Sequence, residues 1–73
     1  MKELRREVIG DRRVRLIAQA DDYYAVSIEV RGPVAWEDIS LRADQQLPFE
    51  VARRRYHLRV AEQQLRAIAC GKD

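Results

Sequence analysis

The nine residues YYAVSIEVR, residues 23–31, alternate without a break. Tyr24, Val26, Ile28 and Val30 fall on one face of an extended chain, and Tyr23, Ala25, Ser27, Glu29 and Arg31 on the other. Aromatic and β-branched residues dominate the run, so it reads as a half-buried strand. Immediately upstream, Arg13 to Ala20 repeats the pattern, with Val14, Leu16, Ala18 and Ala20 opposed to Arg13, Arg15, Ile17 and Gln19. Asp21-Asp22 between the two runs predicts a tight turn, because aspartate tolerates left-handed backbone angles and hydrogen-bonds its own main chain.

Working outward, Gly32-Pro33 ends the central run, and a further strand is expected over Val34 to Leu41, its mixed faces suiting a bulge or an edge position. Leu4 to Ile9 predicts a first strand, turned back through Gly10-Asp11. Connections this short allow hairpins but no parallel crossover. The sheet is therefore expected to be an antiparallel meander of three to four strands.

One long C-terminal helix then has to cover one sheet face, giving an α+β fold in a single small domain, residues 1–73. Its start lies within Arg42 to Glu50, with Asp44 as N-cap or Pro48 as the first helical residue. Gly71 is the expected terminator. A helix of this extent, roughly 34 Å long, outruns so small a sheet.

With each residue placed about 100° after the last, the helix carries two apolar stripes rather than one. Leu58, Ala61, Leu65, Ile68 and Ala69 gather with Val51, and this is the stripe expected against the sheet. Phe49, Ala52, Tyr56, Val60 and Ala67 gather nearly opposite. Either the segment Leu41 to Leu47 or the N-terminal residues fold back over this second stripe, or a protein partner covers it. The simplest partner is a second copy of the chain, so Phe49, Ala52, Tyr56 and Val60 are the expected partner or homodimer interface.

Composition bounds the remainder. Apolar residues make up 47% and charged residues 36% of the 73, a globular balance. A chain this short buries only about 60% of its unfolded surface and is marginally stable unless aided. One cysteine and one histidine leave no internal disulfide and no metal-ligand spacing. Oligomerisation is the aid that remains. No apolar run approaches the length of a signal peptide or of a membrane span, so a cytoplasmic protein without a membrane association is expected.

Catalytic chemistry is not indicated. His57 and Cys70, the one candidate base and the one candidate thiol, are about 20 Å apart along one helix axis and point in different directions. The acidic doublets Asp21-Asp22 and Glu37-Asp38 place neighbouring carboxylates on opposite faces of extended chain, and no phosphate-binding glycine loop or nucleophile elbow is present. Neither an enzyme nor a cofactor is expected.

Nucleic acid is the rival to a protein partner. The net charge of +2 is unevenly spread: residues 1–20 carry six basic and three acidic groups, residues 21–50 two and seven, and residues 51–73 six and two. If Val14, Leu16, Val26 and Ile28 face the helix, the outer sheet face gathers Arg13, Arg15, Tyr23 and Arg31, with Trp36 joining them. On the helix, Arg55, Arg59 and Arg66 form a narrow row that Glu62 partly neutralises. Arg13, Arg15, Tyr23, Arg31, Trp36, Arg55 and Arg59 are the candidate contacts to nucleic acid or to an acidic partner. The consecutive run Arg53-Arg54-Arg55 diverges around the helix and forms no patch; Arg54 is expected to pair with an acid of the middle segment.

Strands followed by a helix that pairs two subunits resemble, in element order alone, the PC4-like single-stranded DNA-binding modules. The lysine- and glycine-containing strand motifs of that family are absent, so no residue roles carry over. In length and lack of chemistry the chain also resembles small accessory proteins of phages and mobile elements, including inhibitors of host defence. The sequence thus favours a small non-catalytic binding or regulatory protein.

Overall fold

In the computed structural model, which describes residues 1–70, the alternating runs become one four-stranded antiparallel sheet. Strands β1 (Lys2–Ile9), β2 (Arg12–Ala20), β3 (Tyr23–Arg31) and β4 (Trp36–Asp38) lie side by side in chain order. A 3₁₀ turn over Arg42–Asp44 leads to the single helix α1 (Phe49–Cys70). This is the α+β meander with one C-terminal helix that the sequence predicts. Gly71, the expected terminator, lies outside the described residues.

The hairpin turns follow their residue chemistry. Gly10 sits at φ 60° between β1 and β2, and Asp22 at φ 64° between β2 and β3, both in the left-handed region those residue types tolerate. Register places Val14 opposite Ile28 and Leu16 opposite Val26 on one face, and Arg13 opposite Glu29 and Arg15 opposite Ser27 on the other. β4 is shorter than the expected Val34 to Leu41. A turn closed by the Gly32 N–H donating to the Ala35 carbonyl at 2.9 Å consumes the first residues. At the far end the Ile39 N–H still donates to the Ile28 carbonyl at 2.8 Å, but the Ile28 N–H goes to the Ser40 hydroxyl at 3.0 Å, so a side chain takes one half of the next rung and the ladder stops.

The core lies between the inner sheet face and α1. Val14, Leu16 and Val26 form its floor, Ala52 and Tyr56 its roof, and Ile9, Tyr24, Leu47 and Val60 pack around them. Tyr56 is 4% exposed. The expected assignment of the two helix stripes is therefore reversed. Ala52, Tyr56 and Val60 face the sheet and are not a free partner interface, while Leu58, Leu65 and Ile68 point into solvent at 49%, 67% and 74% exposure.

Two physical causes fix this rotation. Leu47 and Tyr24 exchange backbone hydrogen bonds, each 2.8 Å, which pins the helix entry beside β3 and sets Phe49 edge-on to the Tyr24 ring at 5.1 Å. Phe49, 41% exposed at the edge of the sheet, shares its stripe with Ala52 and Tyr56, so its contact with Tyr24 turns those residues toward the core. The small Ala52 also lets the helix backbone approach a floor already filled by Val14, Leu16 and Val26.

Candidate binding surfaces

The buried anchor of the connector is Asp44, with no exposed surface. It is not the helix N-cap the sequence suggested: α1 begins at Phe49, and the Ala52 N–H donates to the Pro48 carbonyl at 2.9 Å, in keeping with a start at Pro48. The Asp44 carboxylate instead accepts from Arg55 Nη1 at 2.7 Å and from Arg59 Nε and Nη2 at 2.8 and 3.1 Å. Arg55 Nη1 also donates to the Ala43 carbonyl at 3.3 Å. Burial pushes the Asp44 carboxyl up, but the hydrogen bonds and charges of Arg59 and Arg55 outweigh it and hold the group below the usual carboxylate range. The acid of the middle segment is thus met by Arg55 and Arg59. Arg54, expected in that role, donates from Nε to the Glu50 carbonyl at the surface.

The outer sheet face brings Arg13, Arg15, Arg31 and Trp36 together, as the alternation implied. The charges of Arg13 and Arg15 are already engaged. Arg13 Nε donates to Glu29 at 2.6 Å, and Arg15 bridges Glu29 at 3.1 Å and Glu3 at 3.4 Å. Trp36 lies between two guanidinium groups, with Arg13 4.4 Å and Arg31 5.1 Å from its ring centroid. Beneath this lattice Ile17, Ala25 and Ser27 are buried, lining a shallow cavity of about 170 Å³ with Arg15, Glu29, Asp38 and Ser40 at its sides.

The remaining candidate contacts do not join that face. Tyr23 is exposed beside the β2–β3 turn, at the opposite end of β3 from Arg31 and roughly 26 Å from it by strand rise. Arg55 and Arg59 lie on the helix layer, closed over Asp44. The candidate basic groups are therefore divided between two layers, and Arg13, Arg15, Arg55 and Arg59 are paired with carboxylates of the chain. A phosphate backbone recruits cations gathered on one surface, which this arrangement does not present.

The surface left over is the outer stripe of α1. Val51 is half-buried, and Leu58, Ala61, Leu65, Ile68 and Ala69 are exposed along it. Near its N-terminal end Val51, Arg54, Arg55 and Leu58 surround an open depression of about 220 Å³. The sequence marks this stripe as apolar, and its aliphatic volume alone would turn it toward the sheet. Local spacing does not separate the two stripes: the seven-residue step from Val51 to Leu58 to Leu65 has its counterpart on the core side in Phe49 and Tyr56, since two turns of any helix span about seven residues.

No protein-family model, curated protein or solved structure matches the chain. Among the described residues no helix is long and apolar enough to cross a membrane.

Proposed function

We propose that this chain is a small non-catalytic binding module that recognises a protein through the outer stripe of α1 and regulates or inhibits its partner by occlusion. The observation that carries the reading is the uncovered row Leu58, Leu65 and Ile68 on a helix whose other apolar stripe is spent on the core. Aliphatic side chains in a contiguous row anchor protein interfaces, and the flanking Arg53 and Glu62 supply a polar rim that sets orientation and encounter rate. Nucleic-acid binding across the outer sheet face has less support, because Arg13 and Arg15 are committed to Glu29 and Glu3.

The test compares immobilised wild type with the Leu58→Glu, Leu65→Glu variant for capture from extract of the native cell, followed by mass identification. A partner held by wild type and lost by the variant supports the reading; one held equally by both removes the stripe from it. Anisotropy with mixed-sequence single- and double-stranded nucleic acid across a salt series supplies the counter-test. Tight binding at low salt that falls steeply as salt rises would transfer the function to the arginine face.

A further inference from the structure

The outer stripe of α1 has a regular period. Val51, Leu58 and Leu65 recur at intervals of seven; Ala61 and Ile68 follow Leu58 and Leu65 by three, and Arg54 takes the corresponding place after Val51. In heptad terms these are the first and fourth positions, the seam along which two helices interlock. Residues on the opposite side, Ala52, Tyr56 and Val60, hold the core, and Gln63 accepts from Arg12 at 3.3 Å, so the seam points directly away from the sheet.

The depression bordered by Val51, Arg54, Arg55 and Leu58 gives the seam a shape. Its four residues stand at i, i+3, i+4 and i+7, which is the hole that receives one side chain of a facing helix. We propose that its occupant is Leu65 of a second copy of this chain, the two α1 helices packing antiparallel about a two-fold axis at their midpoints. The proposal rests on the binding reading of the stripe and names its partner.

The register follows from the helix itself. The midpoint of Phe49–Cys70 falls between Arg59 and Val60. A two-fold axis there sets Val51 opposite Ile68 of the second copy, Leu58 opposite Ala61, and Leu65 opposite Arg54, directly over the depression. Each bulky leucine meets a small residue or a hole. The whole helix, about 33 Å, is matched end to end. Beside the seam Arg55, which meets Asp44 and Ala43 through Nη1, has its other donors to offer Glu62 of the second copy, whose Oε1 already takes Arg59; symmetry repeats the pair, so opposite charges flank the contact twice.

The parallel alternative is opposed by one residue. It stacks Arg54 on Arg54 within the seam, two like charges facing each other as apolar surface closes around them. In the antiparallel arrangement the aliphatic stem of Arg54 lies along Leu65 while its head stays at the rim, where it already reaches the Glu50 carbonyl.

The experiment uses the full chain. Light scattering across a concentration series is expected to give twice the chain mass for wild type and the single mass for Leu58→Glu, Leu65→Glu, with the far-ultraviolet circular dichroism of the two superimposable because both positions are exposed. Orientation is read by disulfide trapping on a Cys70→Ser background. Chains carrying Val51→Cys and chains carrying Ile68→Cys, mixed in equal amounts and oxidised, are expected to cross-link with one another. Val51 of one copy is then about 25 Å along the axis from Val51 of the other, so neither variant links to itself.

Self-linking of each variant in place of cross-linking overturns the antiparallel arrangement. A wild type that stays monomeric at millimolar concentration overturns the second copy as occupant. If stripe-dependent capture of a different protein persists in that case, the binding reading stands and the dimer alone is removed.

Discussion

Arg59 Nε donates to the Asp44 carboxylate at 2.8 Å, across fifteen residues of sequence, and Asp44 has no exposed surface. This pair, with Arg55, ties the connector before α1 to the middle of the helix. It also commits part of the donor capacity of two arginines within the chain. Arg59→Ala leaves the buried carboxylate with Arg55 alone and is expected to lower unfolding free energy by about 1.5–3 kcal/mol, the usual worth of a charge-assisted hydrogen bond. Urea titration measures it. A loss within about 0.5 kcal/mol, the range of an ordinary surface change, would show that the clamp does not hold the connector.

The same carboxylate sets an acid limb of stability. Its pKa is held down in the folded protein, so its contribution is fully present above the unfolded carboxylate value of about 3.9 and is lost as pH falls through the lower folded value. Asp44→Asn keeps the shape but cannot ionise. The stability gap between wild type and this variant is expected to be constant above about pH 5 and to shrink steadily below about pH 4. Denaturant midpoints at a series of pH values give the gap, and one that widens on acidification would contradict the assignment.

Which helix stripe holds the sheet is open to direct measurement. Tyr56, 4% exposed over Val14, Leu16 and Val26, should lose about 3–5 kcal/mol on Tyr56→Ala. Leu65, 67% exposed, should change monomer stability by less than about 0.5 kcal/mol on Leu65→Ala. Guanidinium titrations at a concentration low enough to keep the chain monomeric separate the two. Equal losses would restore the rotation that volume alone suggests.

That contrast locates the limit of the sequence. Strand alternation is a local property with period two, so β2, β3 and the Asp21-Asp22 turn are legible residue by residue, whereas the helix start is open between Asp44 and Pro48 and falls at Phe49. Helix rotation is decided at a distance. The aliphatic volume of Val51, Leu58 and Leu65 points one way, whereas the Leu47–Tyr24 bridge and the Arg55 and Arg59 clamp, both set by tertiary placement of the connector, turn the helix the other. Asp44 is equally hidden from local reading. In sequence it is one polar residue before a helix, and its burial depends on two arginines reaching back from the second and third turns.

The last prediction concerns the β3–β4 turn. A Cβ at Gly32 would stand 2.8 Å from the Ala35 carbonyl oxygen, the acceptor of the Gly32 N–H, so the clash and the bond that closes the turn involve one atom. That oxygen cannot retreat without breaking the bond. Gly32→Ala is therefore expected to cost about 1–3 kcal/mol and to loosen β4. Trp36, the single tryptophan of the chain, reports the loosening, since it lies on β4 between the guanidinium groups of Arg13 and Arg31. Its emission should shift to longer wavelength as the stacking is lost and water reaches the ring. Gly10→Ala is the matched control: its left-handed φ of 60° carries a conformational cost of about 1 kcal/mol, but a Cβ there meets open space, and its turn reaches the Trp36 end of the sheet only through the Asp11 carbonyl, which accepts the Arg31 N–H at 2.7 Å. It should lower stability with a smaller shift of Trp36 emission than Gly32→Ala. A spectrum that shifts equally in both variants would place the effect in global loosening rather than in the turn.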